Sequence, residues 1–292
     1  MGCILTENSD MNEKIDDIRH LPRHRPHSAG RVLNLYKRLC ETPLERLERL
    51  RIEKPEYAHE VLSYAGRLDP MAEGVLLALV GSANSNRNAY LDMNKEYVLD
   101  VLFGFSTDTY DILGRVMEHG DPSHLTKKMI EKGLNEFRGS FQQEYPPYSS
   151  KAVEGKPMFE WARSNMLSTI VVPHKTVHIY EIELDGVYKL NEKTLLNYIE
   201  QHVEKVQGDF RQEEIMRLWH RHLPPRSDPA YAKGSGEALR DFACATIKIS
   251  CSSGAYARSI AHSLGIELGI PALALHILRT RVGEYTVEKS LK

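Results

Sequence analysis

Asp69 has the surroundings in this chain best suited to chemistry. It lies in the stretch Gly66-Arg67-Leu68-Asp69-Pro70-Met71-Ala72-Glu73-Gly74. Glycine permits close approach and unusual dihedrals, and proline fixes φ directly after the acid. A carboxylate on so stiff and kinked a backbone is held in one place, as a nucleophile or base must be. An aspartate that only caps a turn uses the same residue types, so Leu68-Asp69-Pro70 alone leaves both readings open. No paired-acid motif or metal-ligand cluster accompanies it, which argues against an aspartate hydrolase.

Other reactive residue types fall into blander patterns. The four cysteines, Cys3, Cys40, Cys244 and Cys251, form no pair of C-x-x-C motifs, so no zinc site is expected. Cysteine this sparse fits a reducing compartment, and a cytoplasmic location is expected. His20, His24 and His27 have no acidic or cysteine partner at ligand spacing, and read as a partly cationic loop. Residues 18 to 40 carry Arg19, Arg23, Arg25, Arg31, Lys37 and Arg38 without one acidic residue; by itself such a run reads as a solvated arm. Apolar residues make up 41% and charged residues 27%, ordinary for a soluble globular protein. No apolar run is long enough to span a bilayer and no secretory leader is evident, so no membrane partner is expected. The net charge of −2 argues against nonspecific coating of nucleic acid, though it leaves room for a local basic groove.

Positioning Asp69 requires a scaffold, and the pattern supplies candidate elements. Residues 1–28 lack apolar periodicity and read as a flexible extension. Thr42, Pro43 and Glu45 form a capping-box signature for a helix carrying Leu44, Leu47 and Leu50. The apolar run Val75 to Val80 can enter the core as a strand, and Tyr97, Leu99, Val101 and Phe103 alternate as a second strand should. Asp108 to Gly114 is turn-like. Helices are expected over 125–137, 155–163 and 256–268, and strands over 176–184 and 243–251, where Ile247, Ile249 and Cys251 share a face. Residues 190–240, with Pro224-Pro225, Asp228-Pro229 and Gly234-Ser235-Gly236, read as a loop-rich insertion within a catalytic domain spanning 29–292. Strands and helices mix without βαβ regularity, which favours an α+β fold with a mixed sheet over a doubly wound parallel one.

Several segments, in order, resemble the TruB family of pseudouridine synthases. Gly66 to Leu76 resembles its G-x-L-D-P-x-A-x-G-x-L signature, and Lys95-Glu96-Tyr97 its K-x-Y strand. Thr107-Asp108-Thr109-Tyr110-Asp111 with Gly114 resembles its T-D-T-x-D-x-x-G turn. Pro147-Tyr148-Ser149-Ser150 and Gly155 to Arg163 resemble P-x-Y-S-A and G-K-x-x-Y-E-x-A-R. Cys251 to Ile260 resembles C-S-x-G-T-Y-I-R-T-L, and Leu278-Arg279-Thr280-Arg281-Val282-Gly283 resembles the closing L-R-R-T-x-x-G. The likeness covers roughly 31 to 290 apart from the insertion.

The resemblance implies a pseudouridine-synthase-like fold: a mixed, mainly antiparallel sheet flanked by helices, with the active-site cleft across the sheet. It implies isomerisation of uridine in RNA, most readily the T-loop uridine of tRNA at position 55, with the base flipped from its stack and no cofactor or metal. Asp69 matches the catalytic aspartate, Tyr97 the tyrosine that packs on the base, and Arg258 the arginine that pairs with the aspartate. Tyr256 lines the same pocket. Asp108, Lys37, Lys151 and Arg279 are further candidates for substrate contact. The physics suits these types. Desolvation raises a carboxylate pKa, and a guanidinium opposes that shift while gripping both oxygens. A tyrosine ring replaces part of the lost base stacking. The expected partner is RNA, and the expected state a monomer.

The chain also departs from the family. Its usual G-H-T-G is Ser63-Tyr64-Ala65-Gly66 here, so Tyr64 stands in place of the histidine. In Lys37-Arg38-Leu39-Cys40-Glu41-Thr42-Pro43 the family's glycine is lost. The C-terminal RNA-binding PUA domain is expected to be absent or shortened. These departures keep two alternatives open: a synthase for another RNA, and a noncatalytic tRNA-binding or folding protein on the same scaffold.

Overall fold

The computed structural model describes residues 30–223 and 240–292. The extension expected over residues 1–28 and the turn signals from Pro224 to Gly236 lie outside the described residues. The chain divides into two compact units, Met1–Met93 with Thr280–Lys292, and Asn94–Arg279.

In the first unit, β1 (Arg31–Lys37) leads to helix α1 (Pro43–Glu53). The capping box forms as its residues dictate: the Thr42 hydroxyl accepts from Glu45 N–H at 3.2 Å, and Glu45 accepts from Thr42 N–H at 2.6 Å. Leu47 and Leu50 are buried with Leu35 and Ala78, whereas Leu44 is 53% exposed. Steps of three residues fall about 60° short of a full turn, so a leucine row at that spacing drifts off the buried face. After β2 (Leu62–Ala65) comes β3 (Ala72–Val80), which pairs antiparallel with both β1 and β2. Alternate β3 residues serve opposite faces: Val75, Leu77 and Leu79 pack with Ala65, Ala83 and Val282, and Ala78 packs toward α1. A strand buried on both sides needs the unbroken apolar run seen in the sequence. A short helix, α2 (Arg87–Leu91), ends this part.

The second unit is built on an antiparallel sheet. Its strands are β4 (Lys95–Phe103), β7 (Gly139–Glu144), β10 (His174–Asn191), β11 (Asp241–Cys251) and β12 (Ala272–Val282), which ends in the first unit. Their order is β12-β4-β11-β10-β7. Between these strands lie the ribbon β5 (Phe105–Thr107) and β6 (Val116–His119), helix α3 (Lys127–Asn135), the hairpin β8 (Ala152–Val153) and β9 (Lys156–Pro157), and helix α4 (Met158–Arg163). Helices α5 (Glu192–Val203), α6 (Gln212–His222) and α7 (Ala257–Leu268) complete the unit. Tyr97, Leu99, Val101 and Phe103 are buried along β4, as are Ile247, Ile249 and Cys251 along β11, where Lys248 is exposed. The α+β class with a mainly antiparallel sheet and flanking helices agrees with the sequence reading.

The stretch from 190 to 223 departs from the expected loop. It forms α5 and α6, whose Leu195, Ile199, Val203, Ile215 and Trp219 are fully buried. Asn191 caps α5 by accepting from Thr194 N–H at 2.9 Å. High charge on the outer faces masked a 3.6-residue apolar row.

In the first unit the final strand, β13 (Tyr285–Thr286), pairs with the end of β12. Leu291 then lies beside β1: its carbonyl accepts from Tyr36 N–H at 2.8 Å and from Arg46 at 3.2 Å, and its N–H donates to Asn34 at 2.8 Å. Among the described residues, no helix is long and apolar enough to cross a membrane.

Candidate active site

The Asp69 loop belongs to the first unit and is fastened by its own backbone. Ala72 N–H donates to the Asp69 carbonyl at 3.0 Å, and Cys40 N–H donates to the Pro70 carbonyl at 2.9 Å. Gly66 turns with φ 77° before the loop. Leu68 and Met71 are buried on either side, while Asp69 is half-buried. The sequence thus folds locally into a bend whose apolar flanks point inward and whose acid is only partly covered. Cys40 adopts φ 68°, the left-handed conformation that favours glycine. It occupies the position of the missing family glycine. Lys37 is fully buried, and its ammonium donates to the carbonyls of Arg38 and Glu41. It shapes the loop that holds Pro70.

The second unit carries Arg258, Tyr256 and Tyr97. Arg258 lies in the first turn of α7 and is 2% exposed. A buried guanidinium must be hydrogen-bonded to offset its desolvation. Nη1 donates to the Thr109 carbonyl at 2.7 Å and Nη2 to the Tyr148 carbonyl at 3.0 Å. Its guanidinium lies 5.6 Å from the Tyr256 ring centre. Gln143 of β7 clamps Tyr256, accepting from its N–H at 2.8 Å and donating to its carbonyl at 3.3 Å. The Tyr145 ring meets Tyr256 edge-on at 5.8 Å, and the exposed Lys151 ammonium lies over Tyr145 at 5.4 Å. Tyr97 is buried in β4 opposite Ile249. Arg279, expected to meet RNA, is 2% exposed in β12. Burial pushes the nearby Cys251 thiol up to about 12, against the opposing charges of Lys95 and Arg279.

The turn from Thr107 to Arg115 supports Arg258. Asp111 accepts from the Thr109 hydroxyl at 2.7 Å and from Leu113 N–H at 3.0 Å, and its carbonyl accepts from the Thr107 hydroxyl at 2.6 Å. Tyr110 stacks on His262 with ring centres 3.8 Å apart. Asp108, expected at the substrate, is engaged by protein groups on both oxygens. Arg115 donates through N–H at 2.8 Å and Nε at 2.9 Å, Arg211 through Nη1 at 2.8 Å, and the Tyr148 hydroxyl at 3.1 Å. Burial pushes its carboxyl up, but the Arg211 and Arg115 hydrogen bonds and charges outweigh it and leave the pKa below the usual range. Burial, then the Asp108 charge, push the Tyr148 hydroxyl up to about 12. Sequence reasoning missed Gln143 and Arg211. Arg211 is 103 residues from its partner Asp108, and no local pattern links them.

Among the described residues, no group of three or more histidine, cysteine, aspartate or glutamate side chains is placed to hold a metal ion. The arrangement offers one firmly held acid in the first unit, and a buried arginine with two tyrosines in the second. The N-terminal domain of TruB family pseudouridylate synthases matches residues 54–210, more than half of the 292 residues, and the chain belongs to the TruB family.

Relatives agree. The protein named tRNA pseudouridine synthase B of Caldanaerobacter subterraneus subsp. tengcongensis is 27% identical over 234 residues, covering 80% of this chain and 63% of its own length. That of Lactobacillus acidophilus is 28% identical over 232 residues, covering 79% of this chain and 62% of its own. The chain thus spans less than two thirds of the length of these two relatives. A crystal structure of a Cbf5-Nop10-Gar1 complex contains a chain of the same fold, with TM-score 0.51 and 20% identity, covering 92% of this chain and 53% of that one.

Proposed function

We propose that this protein isomerises uridine to pseudouridine in RNA, with the T-loop uridine of tRNA as its target and Asp69 as its catalytic carboxylate. The observation that carries the reading is the pinned Asp69 bend in a chain of this family. In the reaction, the N1–C1′ bond breaks, uracil turns, and a C5–C1′ bond forms while a proton leaves C5 and N1 gains one. Atoms and electrons balance without a co-reactant. Asp69 attacks the nucleoside or promotes a glycal-type intermediate, Arg258 balances its charge, Tyr97 stacks on the base, and Tyr97 or a water takes the C5 proton. Flipping the base out of its stack costs a few kcal/mol, which basic side chains such as the exposed Lys151 help to offset through phosphate contacts. The reading has the protein working as a monomer in the cytoplasm.

The experiment is incubation with unmodified tRNA transcript, followed by carbodiimide mapping of pseudouridine. Product at the T-loop is expected from the wild type and none from Asp69→Asn, with RNA affinity of the variant within a few-fold. Product confined to other RNAs would redirect the substrate assignment. Tight binding without product, or full activity in Asp69→Asn, would end the catalytic reading.

A further inference from the structure

The geometry points to Arg211 as a positioning residue: fastened to Asp108 and laid over the Tyr148 ring, it fixes the two backbone carbonyls that hold Arg258. The inference rests on the reading above, in which Arg258 serves the reacting carboxylate.

Arg211 lies one residue beyond the stretch matched to the family, at the entry to α6. Its backbone is left-handed, φ 64° and ψ 31°, which an arginine adopts only where its surroundings impose it. The surroundings do so. Arg211 N–H donates to Asp209 Oδ1 at 3.2 Å, and its carbonyl accepts from Ile215 N–H at 3.0 Å. The Gln212 amide ties the preceding loop by donating to Val206 and Gly208 carbonyls, each at 2.8 Å. The helix that follows is docked on the turn 107–115. Trp219 Nε1 donates to the Ile112 carbonyl at 3.2 Å, and Glu214 faces Arg115 at 3.6 Å. Glu214 and Trp219 of α6, and Arg211 at its entry, therefore all address this one turn.

The side chain completes the link. Nη1 donates to Asp108 Oδ2 at 2.8 Å, Nη2 to Oδ1 at 3.4 Å, and the guanidinium lies 4.5 Å from the Tyr148 ring centre. The Tyr148 hydroxyl donates to the same carboxylate at 3.1 Å. Asp108 is adjacent in sequence to Thr109, whose carbonyl holds Arg258, and Tyr148 supplies the other carbonyl. Arg211 thus locks the turn to the Tyr148 segment from the far side, while Arg258 bridges the same two segments. An aromatic face and a carboxylate edge together suit the planar fork of arginine and not the point charge of lysine.

The test compares wild type, Arg211→Lys, Arg211→Ala, Tyr148→Phe and Tyr148→Phe/Arg211→Ala for kcat, KM, salt dependence and Tm on tRNA transcript. Arg211→Ala is expected to lower kcat about tenfold with KM within twofold. Arg211→Lys should fold with a Tm close to wild type and lose about threefold in kcat. The double variant should lose less than the product of the single losses, because both act through one unit. A loss confined to KM with a shallower salt slope would make Arg211 a phosphate contact and overturn the inference. An active wild type with kcat within twofold in Arg211→Ala and Arg211→Lys would overturn it alone. An inactive wild type would overturn the proposed function and this inference together.

Discussion

Replacing Arg258 by lysine separates charge from geometry at a buried guanidinium of the proposed site. The guanidinium makes two hydrogen bonds in different directions, 2.7 Å to Thr109 and 3.0 Å to Tyr148. Hydrogen bonds to charged groups contribute about 1.5–3 kcal/mol each. A lysine ammonium at this place can reach one carbonyl, and the other is left without its donor in surroundings where Arg258 is 2% exposed. The expected destabilisation is about 2 kcal/mol. At about 2–4 °C per kcal/mol for a chain of this size, Tm falls by roughly 4–8 °C. A similar loss of fork geometry in the transition state lowers the single-turnover rate roughly 30-fold, since each 1.36 kcal/mol is about a factor of ten. Thermal melts and single-turnover pseudouridine formation on tRNA transcript measure the two quantities. A melt within 1 °C of wild type together with a rate within twofold would refute the idea that the fork, and not the charge alone, matters.

Asp108→Asn should destabilise the protein by about 2 kcal/mol at pH 7, because its charge-assisted bonds to arginine are lost. The folded pKa of Asp108 lies below the ordinary value near 4, so its contribution is full at neutral pH and fades as pH falls through that lower value; urea titrations at pH 7 and below pH 4 should show the wild-type advantage shrinking. Trp219→Ala removes a fully buried ring and its bond to Ile112, and should cost roughly 3–5 kcal/mol in urea unfolding. Gly114→Ala would place a methyl 2.7 Å from Thr107 Cβ and 2.9 Å from Asp108 Oδ1, so a loss of about 1–3 kcal/mol is expected, read as a lower Tm. Glu154→Asn should raise stability by about 0.5 kcal/mol, because Glu154 and Gly155 both have positive φ in a two-residue hairpin that favours Asn-Gly; an unchanged or lower midpoint would count against that assignment.

Features written in neighbouring residues were readable from the sequence. The Thr42-Glu45 box needs only a four-residue window, and the strand over 95–103 needs only alternation. The Asp69 bend is likewise encoded by Gly66 and Pro70. What depends on distant partners was not readable. Lys37 and Arg279 are cations by type, and only tertiary packing shows that both are buried. Asp108 sits in a polar turn like many substrate-facing acids, yet its partner Arg211 comes from a helix read as loop. Helix α6 itself was obscured because Gln212 to His222 is mostly charged or polar, and its fit to the core rests on Ile215 and Trp219.

The hydrogen bonds between Leu291 and the first strand impose an order on biosynthesis. Asn34, Tyr36 and Arg46 leave the ribosome early, but their partner emerges some 245 residues or more later. The unit containing Asp69 therefore stays unfinished until Leu291 has been made, while the intervening 186 residues from Asn94 to Arg279 can already collapse. Closing so long a loop is slow, so completion of the first unit around β1 is expected to be the late event in maturation.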